Sequence, residues 1–333
     1  MRDVEPANAA RGLGLGPLRG PVSVLKADEP YPVWKLTTDS GTWVVKVEKP
    51  WGDFVHGVLA QTEKLEAAAW RAGIPIAEPH LLDPASDAIW RPIGEDHLAR
   101  ATRFIEGTHP PVPFEQPLAK WAGETVAAIE RLAIPADPKV DADYNAHSES
   151  DWDDWLGQGV RLGVIDDRAA TTLKDCAMRI DALVEAVSAS PPVKLVTHRD
   201  FSSVNIMVTA DGPVLLDFDG AGPQVPWWEL VCVAFYLASP EIGVVPPERA
   251  SVAACLEGYA AAGGRIRETD ESAFTGLLAG RVSFAAYQLW MACGHRGGSA
   301  ELQADFGCRL RALIPALRTL LDSTTEWASW LRG

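Results

Sequence analysis

No stretch of this 333-residue chain is apolar for long enough to cross a bilayer: runs such as Val231 to Ala238 and Val282 to Ala286 fall far short of the roughly 20 residues a spanning helix needs. A secretory leader is not expected, because Asp3 and Glu5 stand where such a leader carries its basic region. The expectation is a cytoplasmic protein without a membrane partner. The five cysteines are odd in number, widely spaced and without a C-x-x-C pair, which excludes a zinc knuckle or a dithiol redox motif. A basic excess is also missing: 30 Lys and Arg face 45 Asp and Glu, for a formal charge of −15. That balance opposes binding to nucleic-acid backbones and favours a cationic or neutral partner. Internal repeats are absent, so solenoids and propellers are excluded. The glycines between Gly12 and Gly20 have no strand before them and meet Pro17 where a helix should begin, so they read as a connecting loop and not a dinucleotide fingerprint.

What is present is enough apolar residue, 47%, for a sizeable core. Strand-like segments run over 22–27, 33–38 and 42–47, the last two joined by the turn-forming Asp39-Ser40-Gly41. A helical pattern follows over 59–72, closed by Gly73 and Pro75, and further strand-like stretches cover 88–92 and 97–105. The prolines at 110, 111 and 113 forbid both helix and ladder, so a hinge is placed at about 102–108, dividing an N-terminal lobe, 1–105, from a C-terminal lobe, 106–333. Beyond it the patterns are mostly helical, at about 115–131, 165–188, 227–238, 248–262, 270–293 and 300–322. Two short β-type runs, 193–197 and 214–218, interrupt them. The expected class is α+β, with a small antiparallel sheet lobe carrying one main helix and a larger, mostly helical lobe. The state is expected to be monomer or homodimer.

Moving a γ-phosphoryl group demands little covalent chemistry from a protein; the barrier falls through positioning and neutralisation of charge on the phosphate oxygens. Such a site needs a carboxylate for the acceptor hydroxyl, oxygen ligands for Mg²⁺, a cation for the nucleotide phosphates and an acid to hold that cation. The segment His198-Arg199-Asp200-Phe201-Ser202-Ser203-Val204-Asn205 offers Asp200 for the first role and Asn205 for the metal. Asp217 closes the apolar run Val214-Leu215-Leu216 as a second metal ligand, with Asp219 on the same side of an extended chain. His198 suits propping the loop better than proton transfer.

HRDFSSVN followed by VLLDFDGAG resembles the catalytic loop and metal-binding segment of the aminoglycoside phosphotransferase and choline kinase superfamily. The resemblance implies a bilobal protein-kinase-like fold, ATP or GTP with Mg²⁺, Asp200 as catalytic base, and Asn205 with Asp217 as Mg²⁺ ligands. It makes Lys46, in Trp43-Val44-Val45-Lys46-Val47, the strand lysine for the α and β phosphates, and Glu63 its ion-pair partner, with Glu66 one turn later as the rival. Adenine would meet main-chain groups of Arg103, Phe104 and Ile105. The family's usual Gly between His and Asp is here Arg199, and the turn Asp28-Glu29-Pro30-Tyr31-Pro32 lacks phosphate-loop glycines. Protein kinases carry Asp-Phe-Gly and an activation segment; Asp217-Phe218-Asp219 with Pro226-Trp227-Trp228-Glu229-Leu230 close behind excludes that class.

Between Asp141 and Trp155 stand six acids and no Lys or Arg, with Trp152 and Trp155 at helix spacing. Asp151, Trp152, Asp154 and Trp155 are therefore candidates for a cationic acceptor, although Ser150 with Asp153 also reads as a helix-capping box. Tyr259, Phe284, Tyr287 and Trp290 read as core. The functional expectation is a small-molecule O-phosphotransferase, acting on an antibiotic such as an aminoglycoside or another cationic or nucleoside type and so conferring resistance. The alternatives are a metabolite kinase for choline, homoserine or a sugar, and a catalytically silent kinase-like binding protein.

Overall fold

The computed structural model describes residues 4–26, 33–50, 52–83, 85–94, 96–140, 147–295 and 297–332. The glycine-free turn at 28–32, and Asp141 and Asp143 of the acidic stretch, lie outside the described residues. The chain forms two compact units: residues 1–111, 128–141 and 194–224 make the first, and 112–127, 142–193 and 225–333 the second. The first unit takes in the segment with Asp200 and Asp217 as well as the N-terminal strands.

The first unit begins with α1 (Pro6–Gly12), which ends where the glycines read as a connecting loop begin. Next come β1 (Ser23–Lys26), β2 (Val33–Thr38), β3 (Gly41–Glu48), α2 (Gly52–Arg71), β4 (Arg91–Ile93) and β5 (His97–Arg103), the five strands forming one antiparallel sheet in the order β1-β2-β3-β5-β4. Alternation along β3 buries Trp43, Val45 and Val47 on one face, where they pack with Leu36, Ala99, Ala101 and the α1 residues Ala9 and Ala10. Lys46 is left on the other face. α2 ends in a Schellman-type close, Gly73 N–H returning to the Trp70 carbonyl and Ile74 N–H to that of Ala69, with Gly73 at φ 72°.

α3 (Gln116–Arg131) leaves its last residues, 128–131, with the first unit. The second unit continues with α4 (Glu149–Arg161) and α5 (Asp167–Ser188). The chain then supplies the first unit with β6 (Leu195–Thr197), β7 (Ile206–Thr209), β8 (Gly212–Leu215) and β9 (Gly222–Gln224), which pair as β6-β9 and β7-β8. The β7–β8 hairpin is tied to the chain beyond α2: Leu215 N–H reaches the Pro75 carbonyl, Ala77 N–H the Leu215 carbonyl, and Thr108 bridges Val208. These bonds carry the 194–224 segment into the unit that holds Lys46.

α6 (Pro226–Tyr236), α7 (Arg249–Ala261), α8 (Thr275–Ala292) and α9 (Ala300–Ala328) complete the second unit. Phe235, Phe274 and Trp327 are buried together there, as is Tyr259. Phe284 and Tyr287 were expected in this core but are 44% and 38% exposed. α8 follows a helical period all round, so its apolar pattern does not single out one buried face. Among the described residues no helix is long and apolar enough to cross a membrane.

Candidate active site

The loop after β6 is built around His198, which is fully buried. Its Nε2 lies 2.9 Å from the Leu216 carbonyl, so this nitrogen carries the hydrogen, and Nδ1 accepts the Asp200 N–H at 3.3 Å. Burial pushes the imidazole pKa down to about 4, with the Leu216 bond and the Asp217 and Asp219 charges pulling weakly the other way. A neutral, doubly bonded histidine is a prop, as its place in the motif suggested. Arg199 takes φ 62° and Asp217 φ 60°, left-handed values that cost a non-glycine residue of order 1 kcal/mol or more. Arg199 immediately precedes Asp200 within the motif, and Asp217 closes the segment after it.

Asn205 is buried and donates Nδ2 to the Asp200 carboxylate Oδ2 at 2.7 Å and to the Asp200 carbonyl at 2.9 Å. Its carboxamide oxygen is thereby turned away from Asp200. Burial raises the pKa of Asp200 and the Asp217 charge adds to that, while the Asn205 bond and the charges of Lys26 and Lys46 oppose it. Lys26, at the end of β1, is a cation the motif reading did not single out.

Lys46 Nζ contacts Asp217 Oδ1 and lies 2.6 Å from Asp219 Oδ2. The convergence has a different cause from the extended chain expected: Asp217 is left-handed and 218–220 form a turn of 3₁₀-helix. Opposite Lys46 in the β3–β5 register stands Arg100, a residue sequence reasoning missed because a lone arginine on a strand looks like a solvent-facing one. Arg100 is 3% exposed; its Nη2 reaches Glu66 Oε1 at 2.6 Å and its Nη1 reaches Asp219 Oδ1 at 2.7 Å. Burial works against the Lys46 ammonium, but Asp219 and Asp217 more than compensate and its pKa is raised. For Asp219 burial is likewise overcome, here by Arg100 and Lys46, and the carboxyl drops to about 2.

Glu63 does not pair with Lys46. Its Oε1 accepts the main-chain N–H groups of Ile89 and Trp90, both at 2.7 Å, and so caps the approach to β4. Glu66, one turn on, is the helix acid that faces the cations, and its partner is Arg100. At the expected adenine position the N–H groups of Arg103 and Phe104 are spent within the unit, on the Glu78 and Thr42 carbonyls at 2.8 and 2.9 Å. Ile105 N–H has no hydrogen-bond partner among the described residues.

The sequence model of the phosphotransferase enzyme family (APH) matches residues 24–274. The chain belongs to that family. The phosphotransferase has no match among curated proteins by sequence. Its fold is similar to that of an aminoglycoside phosphotransferase from Alicyclobacillus acidocaldarius, at 15% identity and TM-score 0.59, covering 99% of this chain and 98% of the other. An amicoumacin kinase in complex with AMP-PNP, Ca²⁺ and Ami matches at 15% identity and TM-score 0.63, over 94% of each chain. A Plasmodium vivax ethanolamine kinase matches at 11% identity and TM-score 0.57, over 94% of this chain and 85% of the other. At these identities the likeness is one of fold, and the fold is protein-kinase-like, α+β. Family membership makes the chain a phosphotransferase enzyme.

The acceptor candidates lie in the second unit. Ser148, not Ser150, caps α4, and Asp151, not Asp153, returns the bond: Asp151 Oδ2 accepts Ser148 N–H at 3.1 Å and Oγ–H at 2.6 Å. Asp153 and Glu149 are bridged by Lys174 of α5 at 2.6 and 2.9 Å, so the acidic run has a cation that local sequence did not reveal. Asp154 is exposed. Trp152 is buried with its Nε1 unpartnered, and Trp155 packs edge-on between His147 and Trp290, with ring centroids 4.8 and 4.9 Å away. Of the four, Trp152 is the one buried; Asp151 is exposed but its carboxylate is spent on the Ser148 cap, while Asp154 and Trp155 keep surface that a ligand can reach.

The residues present suit Mg²⁺ by donor chemistry. Asn205 has an amide oxygen left over once Nδ2 is spent on Asp200, and Asp217 is a carboxylate in the same unit, next in chain to Leu216, whose N–H binds the Asn205 main-chain carbonyl at 2.8 Å. These are the hard oxygen donors that Mg²⁺ takes in small number, keeping its other positions for phosphate and water.

Proposed function

We propose that the phosphotransferase moves the γ-phosphoryl group of ATP to a hydroxyl of a small cationic or neutral molecule, an antibiotic of the aminoglycoside or another cationic or nucleoside type. The observation that carries this reading is the Asn205–Asp200 bond at 2.7 Å, which fixes one carboxylate oxygen of Asp200 and leaves the other for an acceptor hydroxyl. Asp200 orients that hydroxyl and takes its proton as the new O–P bond forms; ADP leaves with the electrons of the broken P–O bond. Asn205 and Asp217 would hold Mg²⁺, which when bound supplies charge neutralisation on the phosphate oxygens. Lys46 grips the α and β phosphates, and the Ile105 main chain meets adenine.

A metabolite kinase for an amino alcohol is the second reading, supported by the Trp155–Trp290–His147 cluster, whose ring faces suit an alkylammonium. Incubating pure protein with ATP, Mg²⁺ and a panel of aminoglycosides, basic peptides, nucleoside antibiotics, choline, ethanolamine and homoserine tests both. Phosphorylated product in one class assigns the acceptor. ADP release that no panel member stimulates, with Asp200→Ala equal to wild type, would sink the catalytic assignment.

A further inference from the structure

Arg100 projects from the same sheet face as Lys46. Lys46 and Arg100 are register partners across β3 and β5, and partners in an antiparallel pair send their side chains to the same face. Around them run three carboxylates in an ordered chain of contacts: Glu66 to Arg100, Arg100 to Asp219, Asp219 to Lys46, Lys46 to Asp217. The planar fork of Arg100 serves two acids at once, which an ammonium at that position cannot do with the same geometry. Arg100 and Glu66 are both nine-tenths buried or more, at 3% and 2% exposure.

The order of contacts divides the labour. Both oxygens of Asp219 are occupied, Oδ1 by Arg100 and Oδ2 by Lys46, so this acid is committed to cations of the protein. Glu66 gives Oε1 to Arg100, and its Oε2 is buried without a partner, so Lys46 does not use it. Resting on the Mg-ATP reading above, we propose that Arg100 is a positioning residue for phosphoryl transfer: it ties α2 to Asp219, and Asp219 rather than the helix acid anchors the nucleotide-binding Lys46. Asp217 is then the carboxylate free for metal, and Lys46 swings from Asp217 to the nucleotide phosphates about a fixed contact with Asp219.

The test compares Arg100→Lys, Arg100→Gln, Asp219→Asn, Glu66→Gln and Asp217→Asn. The readouts are ATP dissociation constant by calorimetry with and without Mg²⁺, KM for ATP against kcat, half-saturating Mg²⁺, and melting temperature. Asp219→Asn is expected to weaken ATP binding about tenfold, the size of one lost charge-assisted contact, with half-saturating Mg²⁺ little moved. The effect on ATP falls in the order Asp219, Arg100, Glu66, and Arg100→Lys recovers part of what Arg100→Gln loses. Asp217→Asn shifts half-saturating Mg²⁺ instead.

The proposal is overturned if Glu66→Gln weakens ATP binding more than Asp219→Asn. It also falls if Asp219→Asn shifts half-saturating Mg²⁺ as Asp217→Asn does, or if the Arg100 variants lower only the melting temperature. Should Arg100→Gln fail to fold, the Asp219 and Glu66 variants still decide the order. Wild type that binds no ATP at all overturns the functional reading and this inference with it; wild type that binds, with variants that bind equally well, overturns the inference alone.

Discussion

Asn205 gives one amide nitrogen to Asp200 twice, to the carboxylate at 2.7 Å and to the main-chain carbonyl at 2.9 Å. The two bonds close the 200–205 loop on itself and fix the carboxylate in a single orientation. Asn205→Ala removes both bonds together with the amide oxygen assigned to Mg²⁺. The expected result is a fall in kcat of about 10²-fold, comparable to deleting one preorganised donor elsewhere, and a rise in half-saturating Mg²⁺. Steady-state kinetics over a Mg²⁺ titration checks it. A variant with wild-type kcat would mean that Asp200 needs no partner.

In the second unit, Gly123 of α3 and Gly258 of α7 let two backbones meet. A Cβ on Gly123 would stand 1.9 Å from the Cys255 carbonyl oxygen, and one on Gly258 would stand 2.1 Å from that of Lys120. Backbone cannot move aside as a side-chain tip does, so the helices must separate. Gly123→Ala and Gly258→Ala are each expected to destabilise by about 2–3 kcal/mol despite the better helix propensity of alanine. Chemical denaturation measures this directly, and an unchanged or raised midpoint would show that α3 and α7 do not cross this closely.

How much of this was readable depends on whether the information was local. Asp200, Asn205 and Asp217 are separated by short, fixed spacings, and Lys46 follows from two-residue alternation, so each was nominated from its own segment. Arg100 was not, because its role comes from its register with Lys46 and from Glu66 across the unit, both non-local. Glu63 and Glu66 lie three apart on one helix face, and only the path of 89–90 past Glu63 separates them. The α4 cap was misplaced by two residues because Ser148 and Ser150 are equally good cap types. The 194–224 segment joins the first unit through the β7–β8 hairpin bonding to residues 75–77, a contact no local pattern announces.

Glu63 serves the main chain ahead of β4. As the acceptor of two main-chain N–H groups, it stabilises the chain before β4 and stays off the cation row. Glu63→Ala should cost about 1–3 kcal/mol of stability, the price of two charge-assisted bonds partly replaced by water, with KM for ATP changed less than about twofold. Thermal melts alongside ATP kinetics separate the two effects. A large rise in KM with an unchanged melting temperature would restore Glu63 as the partner of Lys46.

Asp181 gives the stability of the second unit a pH dependence. It sits on the buried face of α5 with Leu173, Ala177 and Ile180, and its Oδ2 has no hydrogen-bond partner. Burial, helped by the like charge of Glu185 one turn on, raises its carboxyl from 3.8 to about 6. A raised carboxyl binds its proton more tightly when folded, so this group favours the native state at low pH. That contribution is lost as pH climbs from about 4 through about 6, and above that the folded chain carries a buried, poorly solvated charge. Asp181→Asn keeps the shape and removes the charge. It should therefore raise the melting temperature at pH 7.5 by a few degrees, roughly 1–2 kcal/mol, and the gain over wild type should shrink towards pH 5. Differential scanning calorimetry of both proteins across pH 5–8 measures the difference directly, cancelling the titration of the other carboxylates. A gain independent of pH would assign the effect to packing, and a loss at pH 7.5 would mean that the Asp181 carboxylate is solvated or paired after all.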